Sequence, residues 1–191
     1  MSGSRTPIEI VSGSRRLPRG ADVVIVPVAP DLQMVAGAAR MMRGITAGKA
    51  QQEALAHAPL PVGEATLVAG AKYRYDKTAL AVVMDDQKQW NEETIAAALT
   101  RAIAVSAEAG LHRVTIPDWT PDLMRQPRVQ DREIRITEAQ IVGRAIACAL
   151  FGLPDGESRI RLWIPEEAIA AVYRKLVDDV EQSGACGATR R

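Results

Sequence analysis

The chain has 191 residues, of which 47% are hydrophobic and 25% charged, and these proportions are ordinary for a folded globular protein. Its 24 Lys and Arg residues nearly balance its 23 Asp and Glu residues, and only 4% of the chain is aromatic. Such a balance provides no general attraction to nucleic acid or membranes, and so few aromatic residues disfavour a base-stacking surface. We therefore expect neither nucleic acid nor a membrane among its partners.

The length suffices for one domain with a core of its own. We place this domain at residues 8–182, with flexible tails at 1–7 and 183–191. Cys148 lies in an apolar helical run and Cys186 in a Gly-rich tail, so a disulfide framework is not predicted. No apolar stretch approaches the length of a membrane span, and no signal-peptide segment is visible. We expect a cytoplasmic location.

The spacing of apolar residues predicts the elements in chain order. Alternating or continuous apolar runs bounded by Gly and Pro predict strands, and repeats at helical spacing predict helices. The predicted elements are strands at 8–11 and 23–27, helices at 32–43 and 46–57, strands at 63–70 and 78–84, a helix at 91–109, a strand at 113–117, a helix at 137–151, a strand at 159–164 and a final helix after Pro165. This order predicts an α/β fold, a three-layer helix–sheet–helix sandwich with a central mixed sheet.

The stretch ADVVIVPVAPDLQM at 21–34 is the one around which the other elements are organised. Its β-branched run predicts a strand buried on both faces, as in the middle of a sheet covered by helices. Two prolines end the strand, and a helix is predicted to begin near Leu32 with Asp31 as its cap. Because ligands of α/β sheets bind where a strand turns toward a helix, this turn is a candidate site.

Polar residues mark two further helix starts. Asn91, followed by two glutamates, is a suitable cap for the helix at 91–109. Thr137 with Gln140 predicts a capping box for the next helix. The polar, Pro-containing segment before it, as far as Arg135, is predicted to be a long surface loop.

Two charged clusters suggest sites but have simpler interpretations. Asp85 and Asp86 invite a metal hypothesis, yet adjacent carboxylates point in different directions and no third ligand follows at a recognisable spacing. Arg15, Arg16 and Arg19 form a basic cluster for which a solvated loop is favoured over an anion site. We therefore predict no metal site and no cofactor.

Four motifs are similar to those of one known family. VIV followed by VAGAAR is similar to the family's second strand and first helix, and GEATLVAG to its Gly-Glu-Ala-x-x-Thr-x-Gly strand. VTIP resembles its Ile-Ala-Phe-Pro strand, and IRLWIPEEAIAAVYRKL resembles its final strand and helix. Over about residues 8–180 the chain thus resembles the macro domain family, whose members bind ADP-ribose and related nucleotides. The resemblance implies a macro domain-like fold.

The binding motifs of that family are replaced in this chain. The family's Asn-Ala-Ala-Asn turn falls on PVAP at 27–30, and its Gly-rich phosphate loop falls on 32–34, where no glycine occurs. Proline offers neither a side-chain amide nor a backbone N–H, and close approach to a phosphate normally requires glycine. The second phosphate loop falls on DWTPD at 118–122, whose two acids would repel a diphosphate. We therefore expect ordinary ADP-ribose binding to be lost, and we carry over no catalytic residue.

The remaining site hypothesis places a different small ligand at the carboxyl ends of two central strands. Its residues are Asp31, Gln33, Asp118, Trp119 and Thr120. Trp119 would stack on a ring, and Asp118 would accept hydrogen bonds from hydroxyl or amine donors. In the alternative, Trp119 fills the cleft and the acids cap neighbouring helices.

Three functions stay open at this point. The favoured ones are non-catalytic: a binder of another small ligand, or a scaffold or interaction module. The latter includes a homo-oligomer, or kinship with the macro-like N-terminal domain of leucine aminopeptidases. The third is ADP-ribose or nucleotide-derivative binding or hydrolysis through a remodelled site. A hydrolase is least favoured, because the sequence shows no recognisable catalytic arrangement and only His57 and His112 are available.

Overall fold

The computed structural model describes residues 7–124, 131–153, 158–184 and 186. Most of the two predicted tails, 1–7 and 183–191, lies outside these described residues. The strands are β1 (Ile8–Val11), β2 (Val23–Val28), β3 (Ala65–Ala71), β4 (Tyr75–Val82), β5 (Arg113–Pro117) and β6 (Arg159–Trp163). The helices are α1 (Gly37–Ile45), α2 (Lys49–Leu55), α3 (Glu92–Glu108), α4 (Thr120–Leu123), α5 (Arg132–Phe151) and α6 (Glu167–Ser183).

The strands form one mixed sheet in the order β1-β6-β5-β2-β4-β3. All neighbours are parallel except β3, which pairs antiparallel with β4. Within the sheet, β2 lies between β4 and β5, with Val23 opposite both Lys77 and Val114. Every residue of β2 is buried, which confirms the prediction that this strand is central and covered on both faces.

Successive side chains of β2 enter two different apolar layers, as the two-residue period of a strand requires. Val23 and Ile25 pack with residues of α3, α5 and α6. Val24 and Val26 pack with residues of α1 and α2 on the other face. Helices therefore cover both faces of the sheet, and the predicted helix–sheet–helix sandwich is confirmed.

The start of α3 is set by its cap. The Asn91 side chain accepts a hydrogen bond from Thr94 N (2.8 Å), and Thr94 Oγ1 accepts one from Asn91 N (3.1 Å). This reciprocal pair satisfies two N–H groups that the first helical turn leaves free. Asn91 is therefore confirmed as the cap.

The helix predicted to begin near Leu32 begins at Gly37 instead. Its N-cap, Ala36, makes no side-chain cap, and Asp31 Oδ1 accepts from Gln33 N (3.0 Å) in the preceding turn. The predicted capping role of Asp31 is therefore wrong. The physical reason is that Leu32 adopts a left-handed φ of 54° and is fully buried, so the chain inserts this side chain before the helix starts.

The predicted long loop before residue 135 contains helical structure. The helix α4 follows β5 directly, and α5 starts at Arg132 with Asp131 as its cap, since Asp131 Oδ1 accepts from Glu133 N (2.8 Å). Thr137 lies inside α5, where its hydroxyl donates to Glu133 O (3.0 Å), so the predicted capping box at Thr137 is wrong. Residues 125–130 lie outside the described part. Within that part, no helix has the length and apolar character needed to cross a membrane.

Candidate functional site

The parallel strands β2, β4, β5 and β6 end at the same side of the sheet, which we call the carboxyl edge. It is bordered by the segments that follow these strands, at 29–36, 83–91, 118–123 and 164–166. Ligands of open α/β sheets bind in the crevice outside this edge. The candidate site is therefore built from these four segments.

The segment after β2 is held by Gln51 of α2. Gln51 Oε1 accepts from Met34 N (2.6 Å), and Gln51 Nε2 donates to Leu32 O (3.2 Å). The side chains of Leu32 and Met34 are fully buried, whereas Asp31 and Gln33 are exposed. The two buried anchors thus leave the two polar side chains of this turn at the carboxyl edge.

The segment after β5 places one side chain in the core and its neighbours at the edge. Trp119 is fully buried, and its Nε1 donates to Ile25 O (3.2 Å). Asp118 is half-buried, its N–H donates to Trp163 O (3.0 Å), and its Oδ1 accepts from Thr120 N (2.9 Å). The turn therefore holds the Asp118 carboxylate at the edge while Trp119 belongs to the interior.

Asp122 joins α4 to the first turn of α1. Its Oδ2 accepts from Ala38 N (2.9 Å). Gly37 has a φ of +40°, and a Cβ at this position would overlap the Asp122 carboxylate, so the close approach depends on glycine. Burial raises the pKa of Asp122 to about 7; the hydrogen bond from Ala38 opposes this rise, and the charge of Asp118 adds to it. An internal carboxylate therefore occupies a helix N-terminus that favours anions.

A cavity of about 890 Å³, which we call the larger cavity, opens between the segments after β2 and β4 and the helix α4. Asp31 and Gln33 line it together with Trp90, whose Nε1 donates to Leu123 O (2.7 Å). This hydrogen bond holds the segment after β4 against α4. The ionisable residues that line the larger cavity in the described part of the chain are Asp31, Asp86, Lys88 and Asp122.

The acid pair after β4 shapes a loop. Asp85 Oδ1 accepts from Gln87 N (2.9 Å) and Gln89 N (2.8 Å), which is a structural role in the turn, and Asp86 lines the larger cavity. Among the residues that the structure describes, no group of three His, Cys, Asp or Glu side chains could hold a metal ion.

A smaller cavity of about 470 Å³ lies on the other side of the contact between α4 and α1. It is lined by Asp118, Arg15 and Trp163, and by Arg135 and Glu166, whose charged groups pair at 2.6 Å. The Asp122–Ala38 hydrogen bond thus separates the crevice into two cavities with different linings. The larger one is predominantly acidic, and the smaller one contains both signs of charge.

Polar groups are concentrated beneath the smaller cavity. Burial raises the pKa of Asp118, although the hydrogen bonds from Thr120 lower it. Burial also holds the pKa of the neighbouring Tyr173 hydroxyl well above its ordinary value, and the Asp118 charge adds to this effect. Both shifts favour the protonated forms of groups that are poorly solvated.

Comparisons with known proteins agree with this architecture. No protein-family profile matches the chain, and a search of curated proteins finds no match. Among solved structures, a macrodomain variant from Oceanobacillus iheyensis with ADPR superimposes with a TM-score of 0.68 at 13% identity, covering 96% of this chain and 98% of that one. The chain has a macrodomain-like fold.

Two further macrodomain structures support this assignment. The Trypanosoma brucei macrodomain superimposes with a TM-score of 0.63 at 11% identity, covering 82% of this chain and 61% of that one. The macro domain of ganglioside induced differentiation associated protein 2 gives a TM-score of 0.59 at 11% identity, with 88% of this chain and 82% of that one covered. At such identities the likeness concerns the macrodomain-like fold alone.

The macrodomain-like fold brings the five predicted site residues to the carboxyl edge but does not gather them in one cavity. Asp31 and Gln33 line the larger cavity, and Asp118 lines the smaller one. Thr120 and Trp119 are buried, Trp119 completely. Its indole lies in the interior, so Trp119 neither stacks on a ligand in the crevice nor fills the crevice, which retains both cavities.

Three residues that shape this crevice are absent from the five predicted site residues. Asp122 had a local signal, because Pro121 favours a helix start and places Asp122 in the first turn of α4. Trp90 and Gln51 had no local signal, because each forms a hydrogen bond with a segment distant in sequence. Trp90 Nε1 donates to Leu123 O, and Gln51 Oε1 accepts from the N–H of Met34, 17 positions away.

Proposed function

We propose that the protein is a non-catalytic binding module that holds a small uncharged or cationic ligand in the larger cavity, and that ordinary ADP-ribose binding is lost. The observation that carries this proposal is the position of the cavity at the carboxyl edge, between the segments that follow β2, β4 and β5. Its volume of about 890 Å³ lies within the range of small-molecule sites.

The lining of the larger cavity combines apolar surface with hydrogen-bonding groups. Val35, Met84 and Trp90 supply the apolar part. Asp31 accepts hydrogen bonds, and Gln33 both donates and accepts them. A ligand with a flat ring and several hydroxyl or amine groups suits this lining, and a nucleoside has both.

The charges around the larger cavity disfavour a diphosphate. Asp31, Asp86 and Asp122 oppose a single Lys88 among its described ionisable residues, and carboxylates repel phosphate strongly where water is partly excluded. The first-turn N–H of Ala38, which could otherwise serve an anion, is already bonded to Asp122. A macrodomain variant from Oceanobacillus iheyensis, which has a similar fold, was solved with ADPR; in this chain we propose a ligand without that charge.

Titration calorimetry with a series of ligands that differ in charge tests the proposal. Adenosine, AMP and ADP-ribose are compared at about pH 8, where Asp122, with its pKa of about 7, is ionised. We expect adenosine to bind most tightly and ADP-ribose most weakly, because each phosphate adds repulsion near the acids. Tighter binding of ADP-ribose than of adenosine would overturn the proposal and favour ADP-ribose or nucleotide-derivative binding or hydrolysis through a remodelled site.

Asp122→Asn is the matched variant, because asparagine keeps an acceptor for the Ala38 N–H and removes the charge. We expect it to narrow the affinity difference between adenosine and ADP-ribose by about tenfold, with little change for adenosine itself. If neither protein binds any member of the series, the small-ligand proposal fails. A scaffold or protein-interaction role, with a homo-oligomer as its simplest form, is then favoured.

A further inference from the structure

The two cysteines of the chain line one cavity although they belong to distant segments. This cavity, of about 740 Å³, lies between α3 and α5, on the far side of the sheet from α1 and α2. Cys148 comes from α5 and is half-buried, whereas Cys186 follows α6 and is exposed. Both are free thiols.

The end of α6 directs Cys186 toward this cavity. The helix stops at Ser183, and Gly184 adopts a left-handed φ of +60° that turns the chain away from the helix axis. The Cys186 N–H then donates to Gly184 O (3.0 Å). The thiol of Cys186 thereby comes to lie against α5, beside Cys148.

We propose that Cys148 and Cys186 form a reversible intramolecular disulfide that fastens the segment after α6 to the outer side of α5. This inference is independent of the ligand proposed for the larger cavity at the carboxyl edge. The two thiols already share a cavity, and the bond requires their sulfur atoms to approach to about 2.0 Å.

The surroundings of the two thiols determine the order of the steps. Burial, and after it the neighbouring Cys186 thiol, raise the pKa of Cys148 to about 12; the charge of Arg144 opposes this rise, and the charge of Glu92 adds to it. Because the thiolate is the attacking species, the exposed Cys186 reacts first with an oxidant. Cys148 then acts as the resolving thiol.

Glutathione disulfide is the oxidant that we name. The Cys186 thiolate attacks one of its sulfurs, a mixed disulfide forms and one glutathione thiolate leaves. Cys148 gives up its proton and attacks Cys186 Sγ, so that the Cys148–Cys186 bond forms and the second glutathione leaves. The two cysteines are oxidised with loss of two protons, and glutathione disulfide is reduced to two molecules of glutathione.

Mass spectrometry of the full-length protein tests the bridge. The reduced chain is equilibrated in glutathione buffers of graded ratio, alkylated, and analysed intact and after digestion. We expect both thiols to disappear together in a monomer lighter by two hydrogen atoms, with a cross-linked peptide that contains Cys148 and Cys186. A persistent glutathione adduct on Cys186 beside an alkylated Cys148, or a disulfide between two chains, would overturn the proposal.

Two controls separate a native pair from chance encounter. In denaturant we expect the equilibrium constant for oxidation by glutathione disulfide to be lower by at least about tenfold, because the fold no longer brings the thiols together. Equal constants in the folded and denatured chain contradict the proposal, whether or not any variant folds. In Cys148→Ser, oxidation should stop at the glutathione adduct on Cys186.

Discussion

Acidic side chains have different surroundings at the two ends of the parallel strands, the carboxyl edge and the opposite edge, which we call the amino edge. At the amino edge, Asp22 precedes β2, and its carboxylate accepts from His112 N (3.1 Å), Arg113 N (2.8 Å) and Arg113 Nε (2.7 Å). At the carboxyl edge, Asp118 and Asp122 each accept a backbone N–H. Within the described part of the chain, neither of these two acids forms a salt bridge.

The pKa values of these acids shift in opposite directions. Burial tends to raise the pKa of Asp22, but the hydrogen bonds and charge of Arg113 outweigh it and lower the pKa below its ordinary value. Burial raises the pKa of Asp118, and it raises that of Asp122 to about 7. The ionised acid at the amino edge is stabilised by its surroundings, whereas those at the carboxyl edge are retained at a cost in stability.

The largest loss of stability is expected for a substitution at Trp119, where the carboxyl edge meets the interior. Trp119→Ala should lower the free energy of unfolding by about 3–5 kcal/mol, because a fully buried indole is lost. The Ile25 carbonyl would also lose its bond from the indole N–H (3.2 Å). Chemical denaturation measures this loss. Trp90→Ala is the control at the rim of the larger cavity, and its loss should be less than half as large; equal losses would mean that the rim is as structural as the core.

Replacement of Asp22, at the amino edge, should give the next largest loss of stability. Asp22→Ala should destabilise the fold by about 2 kcal/mol, since it leaves two backbone N–H groups and Arg113 without their acceptor. Because the folded pKa of Asp22 lies below its unfolded value of 3.8, its contribution is present above that pH and is lost as the pH falls through the folded pKa.

Denaturation at neutral and acid pH checks the sign of this effect. The difference between wild type and Asp22→Ala should shrink toward low pH. Arg113→Ala is the companion variant, and it should cost less, about 0–1 kcal/mol, because 60% of the Arg113 side chain is exposed. A difference that grows on acidification would contradict the assignment of Asp22 as a structural acid.

Much of the scaffold was predictable because its signals are local. The β-branched run of β2 and the Asn91 cap of α3 each act within a few residues, and both predictions are confirmed. The turn after β2 was not predictable in this way. Its course depends on Gln51, which bonds Met34 and Leu32 from 17 and 19 residues away, and no local pattern reports such a contact.

The site was predictable only as a location. The strand-to-turn pattern correctly placed Asp31, Gln33 and Asp118 at the carboxyl ends of central strands. The separation of the crevice into two cavities was not predictable, because the bond from Ala38 N to Asp122 joins residues 84 positions apart. Apolar periodicity reports which side chains are buried, but it does not report which polar groups meet across an edge.

Asp122, the acid that separates the two cavities, should affect the free energy of unfolding less than Asp22 does. Its contribution should also change with pH in the opposite direction. Burial raises the folded pKa of Asp122 from 3.8 to about 7, so between these values the folded chain binds more protons than the unfolded chain. The stabilising contribution of the Asp122 carboxyl is therefore present at low pH and is lost as the pH rises through about 7. Asp122→Asn should be more stable than wild type by about 1–2 kcal/mol at high pH.

Thermal or chemical denaturation from about pH 5 to pH 8 measures this effect. The advantage of Asp122→Asn should fade toward the lower pH, where the wild-type carboxyl is protonated and both side chains are neutral. An advantage that is constant with pH would point to packing instead of charge. A destabilised variant at high pH would mean that Asp122, like Asp22 at the amino edge, is a structural acid.

The smallest effect on stability is expected at Asp31, which is exposed at the carboxyl edge and lines the larger cavity. Asp31→Asn keeps an acceptor for Gln33 N, so the free energy of unfolding should change by less than about 0.5 kcal/mol. Adenosine affinity should nevertheless fall by several-fold, because a neutral amide accepts more weakly than a carboxylate. Calorimetry and denaturation on the same preparation separate the two effects. A loss of stability without a loss of affinity would mean that Asp31 does not contact the ligand and is, like Asp22, a structural acid.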